Sequence, residues 1–194
     1  MTQRFSRRHL TLAVAWLALL IGVGAAVGGC SGGDATSPTA PPTTGSGGAS
    51  PSSSPEEEAK QKVLAVYDGY REAYIAATAV SDLNNVDLPK YVADPLLTQA
   101  RFTLNRASEQ GIVYKGRPTW KAMITSIDLV GKPVKAVIEE CLDTNGWDAV
   151  YKATGKSAAA PGQSKRYIVN ATAYRYDDGR WLIAEAKADR SRPC

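Results

Sequence analysis

The chain has 194 residues, 44% of them hydrophobic, and this length predicts one folded domain with its own core. The net charge of +4 is too small for a surface that binds nucleic acid, so no such partner is expected. His9 is the only histidine. Its position outside the predicted domain excludes catalytic Ser–His–Asp or Cys–His groups and histidine metal sites there, and we expect no cofactor.

The first 29 residues have the layout of an export signal. Arginines at 4, 7 and 8 precede an uncharged apolar stretch over 10–27, and small residues follow it. An uncleaved membrane anchor is the alternative, because 18 uncharged residues can just span a bilayer. The pair Arg7-Arg8 also fits a twin-arginine signal, so the export route stays open.

Cys30 directly follows this stretch in the sequence VGGC, residues 27–30. These four residues resemble the lipobox of bacterial lipoproteins, and this resemblance favours a lipidated cysteine over an uncleaved anchor. It implies that the Cys30 thiol receives a diacylglyceryl group and becomes the first mature residue. Cleavage there removes three arginines and no carboxylate, which lowers the net charge from +4 to +1. We therefore expect a lipid anchor at the extracellular face of the cell membrane.

Residues 30–55 are predicted to be a tether. They are dominated by Ser, Gly, Thr and Pro, and Asp34 is the only charged residue before the acidic run that starts at Glu56. Such a segment cannot bury enough apolar surface to offset its ordering entropy. We expect a flexible connection of roughly 25–30 Å that holds a folded domain, residues 56–194, away from the membrane.

The domain is predicted to begin with helices. Ser54 and Pro55 form a helix start, and one apolar stripe continues to about Val80. A short helix or turn over 88–92 precedes a second long helix, which starts at Asp94-Pro95 and ends at Gly111. The stripe of the first helix consists of Val63, Tyr67, Tyr70, Tyr74 and Ala77, and that of the second of Leu97, Ala100, Leu104 and Ala107.

After Gly111 the apolar period changes to two, which predicts strands. Turn residues at 131–133, 145–146 and 177–179 separate them. The predicted strands are 112–115, 119–130, 134–142, 147–152, 166–176 and 180–188, with Trp120, Ala122, Ile124 and Ser126 on one face of the second. This order predicts an α+β fold, in which N-terminal helices pack on a curved antiparallel sheet.

Three stretches of this region, GRPTW, SIDLVGKPVKAVIEECLDTNGW and GRWLIAEAKADRSRPC, carry a family resemblance. Together with the element order they resemble the nuclear transport factor 2-like (cystatin-like, SnoaL-type) domains of secreted or lipid-anchored actinobacterial proteins of unknown function. The resemblance implies a cone-shaped domain over 56–194.

Cys141 and Cys194 remain after lipidation of Cys30, and two cysteines left in an exported protein are expected to form a disulfide. The alternative is a reactive Cys141 nucleophile. The absence of a histidine to activate its thiol disfavours that role.

We therefore expect a non-catalytic binding or protein-interaction module of the cell envelope. Its partner would be a small apolar ligand, an envelope protein or, in a homodimer, a second copy. Tyr70, Tyr74, Trp120 and Trp147 are the residues expected to line a pocket. An open cavity beside these rings would favour a small ligand, and a sealed interior would favour a protein partner.

An isomerase or dehydratase is the alternative, because enzymes of this kind among cone-shaped relatives use a buried carboxylate base with tyrosine donors. The carboxylates available for it are Asp68, Asp82, Asp128 and Glu140, and the tyrosines are Tyr67, Tyr70 and Tyr74. This alternative requires a carboxylate next to a tyrosine hydroxyl in the cavity. It fails where the carboxylates are exposed or paired with Lys or Arg.

Overall fold

Three helices followed by six strands make up the described part of the chain, residues 54–81 and 87–194, in a computed structural model. The helices are α1 (Pro55–Val80), α2 (Leu88–Tyr91) and α3 (Leu96–Glu109). The strands are β1 (Ile112–Gly116), β2 (Thr119–Asp128), β3 (Lys135–Asp143), β4 (Trp147–Tyr151), β5 (Arg166–Arg175) and β6 (Trp181–Asp189). The predicted signal segment, Cys30, nearly all of the tether and Asp82 lie outside the described residues. None of the helices in the described ranges is long and apolar enough to span a bilayer.

Helix α1 begins where the sequence predicts. The Ser54 hydroxyl accepts a hydrogen bond from the Glu57 amide at 3.2 Å, and Pro55 occupies the first turn, where its missing N–H costs nothing. The helix ends at Ser81, whose φ of 52° is left-handed. One side of α1 is buried along its length, and that side includes Val63, Tyr67, Tyr70 and Ala77. This predicted stripe is confirmed.

The strands form two antiparallel sheets. The larger has the order β2-β3-β5-β6, and the smaller pairs β1 with β4. Buried side chains of the helices pack against one face of the larger sheet, where Ala136, Ile138, Ala171, Ala173 and Ile183 complete the core. The predicted α+β class, with N-terminal helices on an antiparallel sheet, is confirmed.

Helix α3 is rotated slightly from the prediction. Leu96, Ala100 and Leu104 are buried, whereas Leu97 and Ala107 are only half-buried. The start of the helix agrees better with the prediction, because the Asp94 carboxylate accepts a hydrogen bond from the Thr98 amide at 3.1 Å.

Strand β2 contains a bulge that the alternating pattern does not reveal. Ile124 pairs with Ile138, but Ser126 pairs with the next residue back, Val137, so Thr125 is an extra residue. The prediction that Ser126 shares a face with Ile124 is wrong. The extra residue shifts the alternation, and Ile127 packs on the core instead.

The predicted disulfide is present. Cys194 is joined to Cys141 with a Cα–Cα distance of 5.8 Å. The chain before Cys194 is held by the Arg192 carbonyl, which accepts from the Ile168 amide at 3.0 Å, and by an Arg192–Glu139 ion pair at 3.0 Å. Since Glu139 and Cys141 alternate with buried Ile138 and Glu140, the C-terminal residues lie on the sheet face opposite the core.

Candidate functional site

A cavity of about 700 Å³ lies between α1, α3 and the strands. Helix α1 contributes two tyrosines, α3 contributes one long side, and both sheets contribute the rest of the wall. The aromatic residues in its lining are Tyr70, Tyr74, Phe102, Tyr114, Trp147 and Tyr167. A cavity of this size, with both aromatic and polar residues in its walls, suits a small organic molecule.

The aromatic wall is a row of rings in contact. Tyr70 and Tyr74 have ring centroids 6.0 Å apart, and Tyr74 lies 6.4 Å from Trp147. Trp147 in turn lies 4.6 Å from Tyr114, its neighbour on the paired strand β1. Such tilted and edge-to-face pairs are the preferred geometries of aromatic side chains. The row therefore gives the cavity one continuous aromatic side.

Several tyrosine hydroxyls in this wall have no protein partner. Tyr70 is only 5% exposed, yet its hydroxyl makes no hydrogen bond with any described residue, and the same holds for Tyr74 and Tyr114. Burial raises the pKa of all three phenols. They stay protonated at neutral pH and can donate. Because these three residues line the cavity and their hydroxyls are not fully enclosed by protein, the hydroxyls can contact a bound molecule.

One wall of the cavity contains a residue of a buried ion pair. Arg71 Nε donates to Glu140 Oε1 at 2.8 Å, Arg71 Nη2 contacts Glu140 Oε2, and Nη2 also donates to the Tyr67 hydroxyl at 3.0 Å. Burial alone would lower the pKa of Arg71, but Tyr67, Tyr70 and Glu140 raise it, so the guanidinium stays charged. Arg71 lines the cavity, and Glu140, 0% exposed, lies behind it.

Arg71 is a residue that the sequence analysis missed. It lies four residues after Tyr67, on the buried side of α1. Two features of the sequence could have indicated this pair. One is a charged residue on an otherwise apolar stripe, and the other is Glu140 in a strand that is buried at every second position.

The carboxylates proposed for an enzyme are all engaged elsewhere, as far as the structure describes them. Asp68 is exposed and accepts from the Trp120 indole N–H at 2.8 Å. Asp128 accepts from two turn amides, those of Val130 and Gly131. Glu140 is bound by Arg71. None of these three is available as a base beside a cavity tyrosine. Within residues 54–81 and 87–194, no three His, Cys, Asp or Glu side chains are grouped as metal ligands.

The four predicted pocket residues separate into two groups. Tyr70, Tyr74 and Trp147 lie in the cavity wall. Trp120 does not, because its indole is bonded to Asp68 and its ring packs beside Leu142 and under the Arg117 guanidinium. A sequence pattern does not reveal this hydrogen bond, because it joins residues 52 apart.

No protein-family model and no curated protein matches the sequence. Some solved structures are similar to this chain. The intermembrane space region of the chloroplast protein ARC6 is 14% identical, with a TM-score of 0.48 over 66% of this chain and 95% of that one. The Kfla4162 protein of Kribbella flavida is 16% identical, with a TM-score of 0.41 over 69% and 90%. A ketosteroid isomerase-like protein of Erwinia carotovora atroseptica is 14% identical, with a TM-score of 0.36 over 63% and 92%. Identity at this level carries no information about activity.

Proposed function

We propose that this protein is a lipid-anchored binding module at the extracellular face of the membrane, and that its cavity takes a small, largely apolar molecule. The observation that carries the proposal is the open cavity with the unpartnered hydroxyl of Tyr70 in its wall. A sealed interior would have favoured a protein partner.

The location rests on the sequence and on one structural feature. Lipidation of Cys30, after an export signal and before a tether, anchors the domain to the membrane. The Cys141–Cys194 disulfide supports this location, since disulfides persist in oxidising compartments. We expect radiolabelled fatty acid to appear on the native protein and not on the C30S variant. Equal labelling of both would overturn the anchor.

Binding is favoured over catalysis by the state of the carboxylates. A general base needs an ionised group within reach of the proton that it abstracts. Glu140, the one buried candidate in the described part of the chain, is bound to Arg71 and separated from the cavity by it. The carboxylates named for the isomerase or dehydratase alternative are therefore, as far as the structure describes them, exposed or bound to other groups, and Asp148, the carboxylate of the cavity lining, lies 3.6 Å from Lys165 Nζ.

Binding is also favoured over assembly through the sheet. The outer face of the larger sheet carries Lys121, Glu139 and Lys187 around the exposed Met123, and the C-terminal residues cross it. A stable dimer interface is usually more apolar than this face. A homodimer or an envelope-protein partner is therefore the weaker candidate.

Calorimetric titration of the purified full-length chain with 2-naphthamide, a neutral bicyclic aromatic, tests the proposal. We expect saturable binding by the wild type. The A149W variant should lose it, because Ala149 lines the cavity beside Trp147 and a larger ring would fill the space. The matched control is A76W, on the exposed side of α1, which should bind as the wild type does. Equal binding by all three would place the molecule elsewhere and overturn the proposal.

A further inference from the structure

The lining of the cavity has an excess of positive charge. It contains four cationic side chains and one carboxylate, and these are Arg71, Arg106, Lys165, Arg190 and Asp148. Neither sequence periodicity nor the net charge of the chain predicts this concentration. An apolar cavity that only excludes water has no need of it.

Two of the four cations are already compensated. Arg71 is bound by Glu140, and Lys165 Nζ lies 3.6 Å from Asp148 Oδ1. Arg106 and Arg190 differ, because no carboxylate of the described residues lies within 4.0 Å of either guanidinium. Two positive charges at the cavity therefore remain without a counter-charge.

Arg190 is an exposed residue, and two contacts hold its guanidinium. Its guanidinium lies 4.1 Å from the centroid of the Tyr167 ring, and Nη1 donates to the Ser164 carbonyl at 2.9 Å. Residues on both sides of it are also bound, since Asp189 accepts from Ser191 and Arg192 is paired with Glu139. A guanidinium has five N–H donors, and one of them is used here. The remaining donors make no hydrogen bond with a residue that the structure describes, so they can bind a ligand.

We infer that the cavity selects molecules that join an aromatic or apolar body to an anionic group such as a carboxylate, and that Arg190 binds the anion. This inference rests on the proposed binding function. The body lies against the row formed by Tyr74, Trp147 and Tyr114, and the protonated tyrosine hydroxyls add donors. Arg106, which is exposed on α3 and also lines the cavity, adds attraction for the anion.

A matched pair of probes separates the charge from the body. We expect 2-naphthoate to bind the wild-type chain about tenfold more tightly than 2-naphthamide, which corresponds to one charge-assisted hydrogen bond. The R190Q variant should lose this preference and bind the two probes with equal affinity. R190K should recover part of it. The control is R101Q. Arg101 is an arginine on α3 that does not line the cavity, so this variant should keep the full preference.

The outcomes distinguish this inference from the proposed function. Equal affinity of the wild type for both probes would overturn the inference and leave cavity binding intact. A preference that survives in R190Q, with a melting temperature equal to that of the wild type, would overturn the role of Arg190. Binding of neither probe would overturn both.

Discussion

At the scale of single residues, the Arg71–Glu140 pair places two opposite charges inside the core. The side chains are 8% and 0% exposed, so both charges have left water and each depends on the other. Tyr67 supplies a further contact to the guanidinium. A pair of this kind contributes little net stability against apolar residues, but the loss of one partner leaves a buried charge alone.

We therefore predict that R71M lowers the free energy of unfolding by about 3–5 kcal/mol. The double variant R71M/E140M should be more stable than R71M, because it removes both charges together. Urea unfolding of the two variants and the wild type measures the difference. A loss below about 1 kcal/mol in R71M would contradict the burial of a charged Glu140.

The buried tyrosines predict a pH dependence at the alkaline end. Burial raises the pKa of Tyr67, Tyr70 and Tyr74 in the folded chain above the ordinary phenol value of about 10. Above that pH the unfolded chain releases protons that the folded chain keeps, so unfolding becomes easier. The stabilisation is complete below about pH 10 and is lost as pH rises through the folded values.

The measurement is a spectrophotometric titration of phenolate absorbance on the folded protein. We expect these phenols to resist ionisation until the chain unfolds, and Y70F should remove one group from the delayed phase. The exposed Tyr176 is the matched control, since Y176F should leave the delayed phase unchanged. Ionisation of all tyrosines together on the folded chain would contradict the buried wall.

At the scale of elements, the C-terminal residues after β6 act as a brace across the sheet. The disulfide closes a loop between residues 53 apart, and the chain-entropy relation gives about 4 kcal/mol for a loop of that length. The Arg192–Glu139 pair is half-exposed and adds little by comparison.

We predict that C194S loses up to about 4 kcal/mol of unfolding free energy, and that reductant lowers the wild type to the level of C194S without affecting the variant further. Chemical unfolding with and without reductant tests this. Unchanged stability of the wild type on reduction would show that the bond does not constrain the chain. R192Q provides the comparison for the ion pair alone and should lose under about 1 kcal/mol.

Element by element, local chemistry made the helices predictable. The cap at Ser54 and the three-to-four-residue spacing of tyrosines are contained within one segment, so the sequence displays them directly. The bulge at Thr125 is different in kind, because it depends on how β2 meets its neighbour β3. The alternation of apolar and polar residues along β2 does not show how this strand pairs with β3.

At the scale of the whole molecule, the site was less predictable than the fold. The tyrosines of α1 were identifiable because they share a helix face, and Cys141 with Cys194 because few cysteines were available. Arg190 follows the last strand, and its place in the cavity lining depends on how the chain after β6 packs against the residues near Ser164. The Arg71–Glu140 pair joins residues 69 apart, which no local pattern records.

The most direct test of a ligand in the cavity is nuclear magnetic resonance of the ¹⁵N-labelled protein titrated with 2-naphthoate. Trp147 lines the cavity, whereas the indole of Trp120 is bonded to Asp68 outside it. We predict that the Trp147 indole signal shifts progressively to saturation while that of Trp120 stays in place. Shifts confined to Trp120 or to residues around Met123 on the outer sheet face, with Trp147 unmoved, would contradict a ligand-binding cavity.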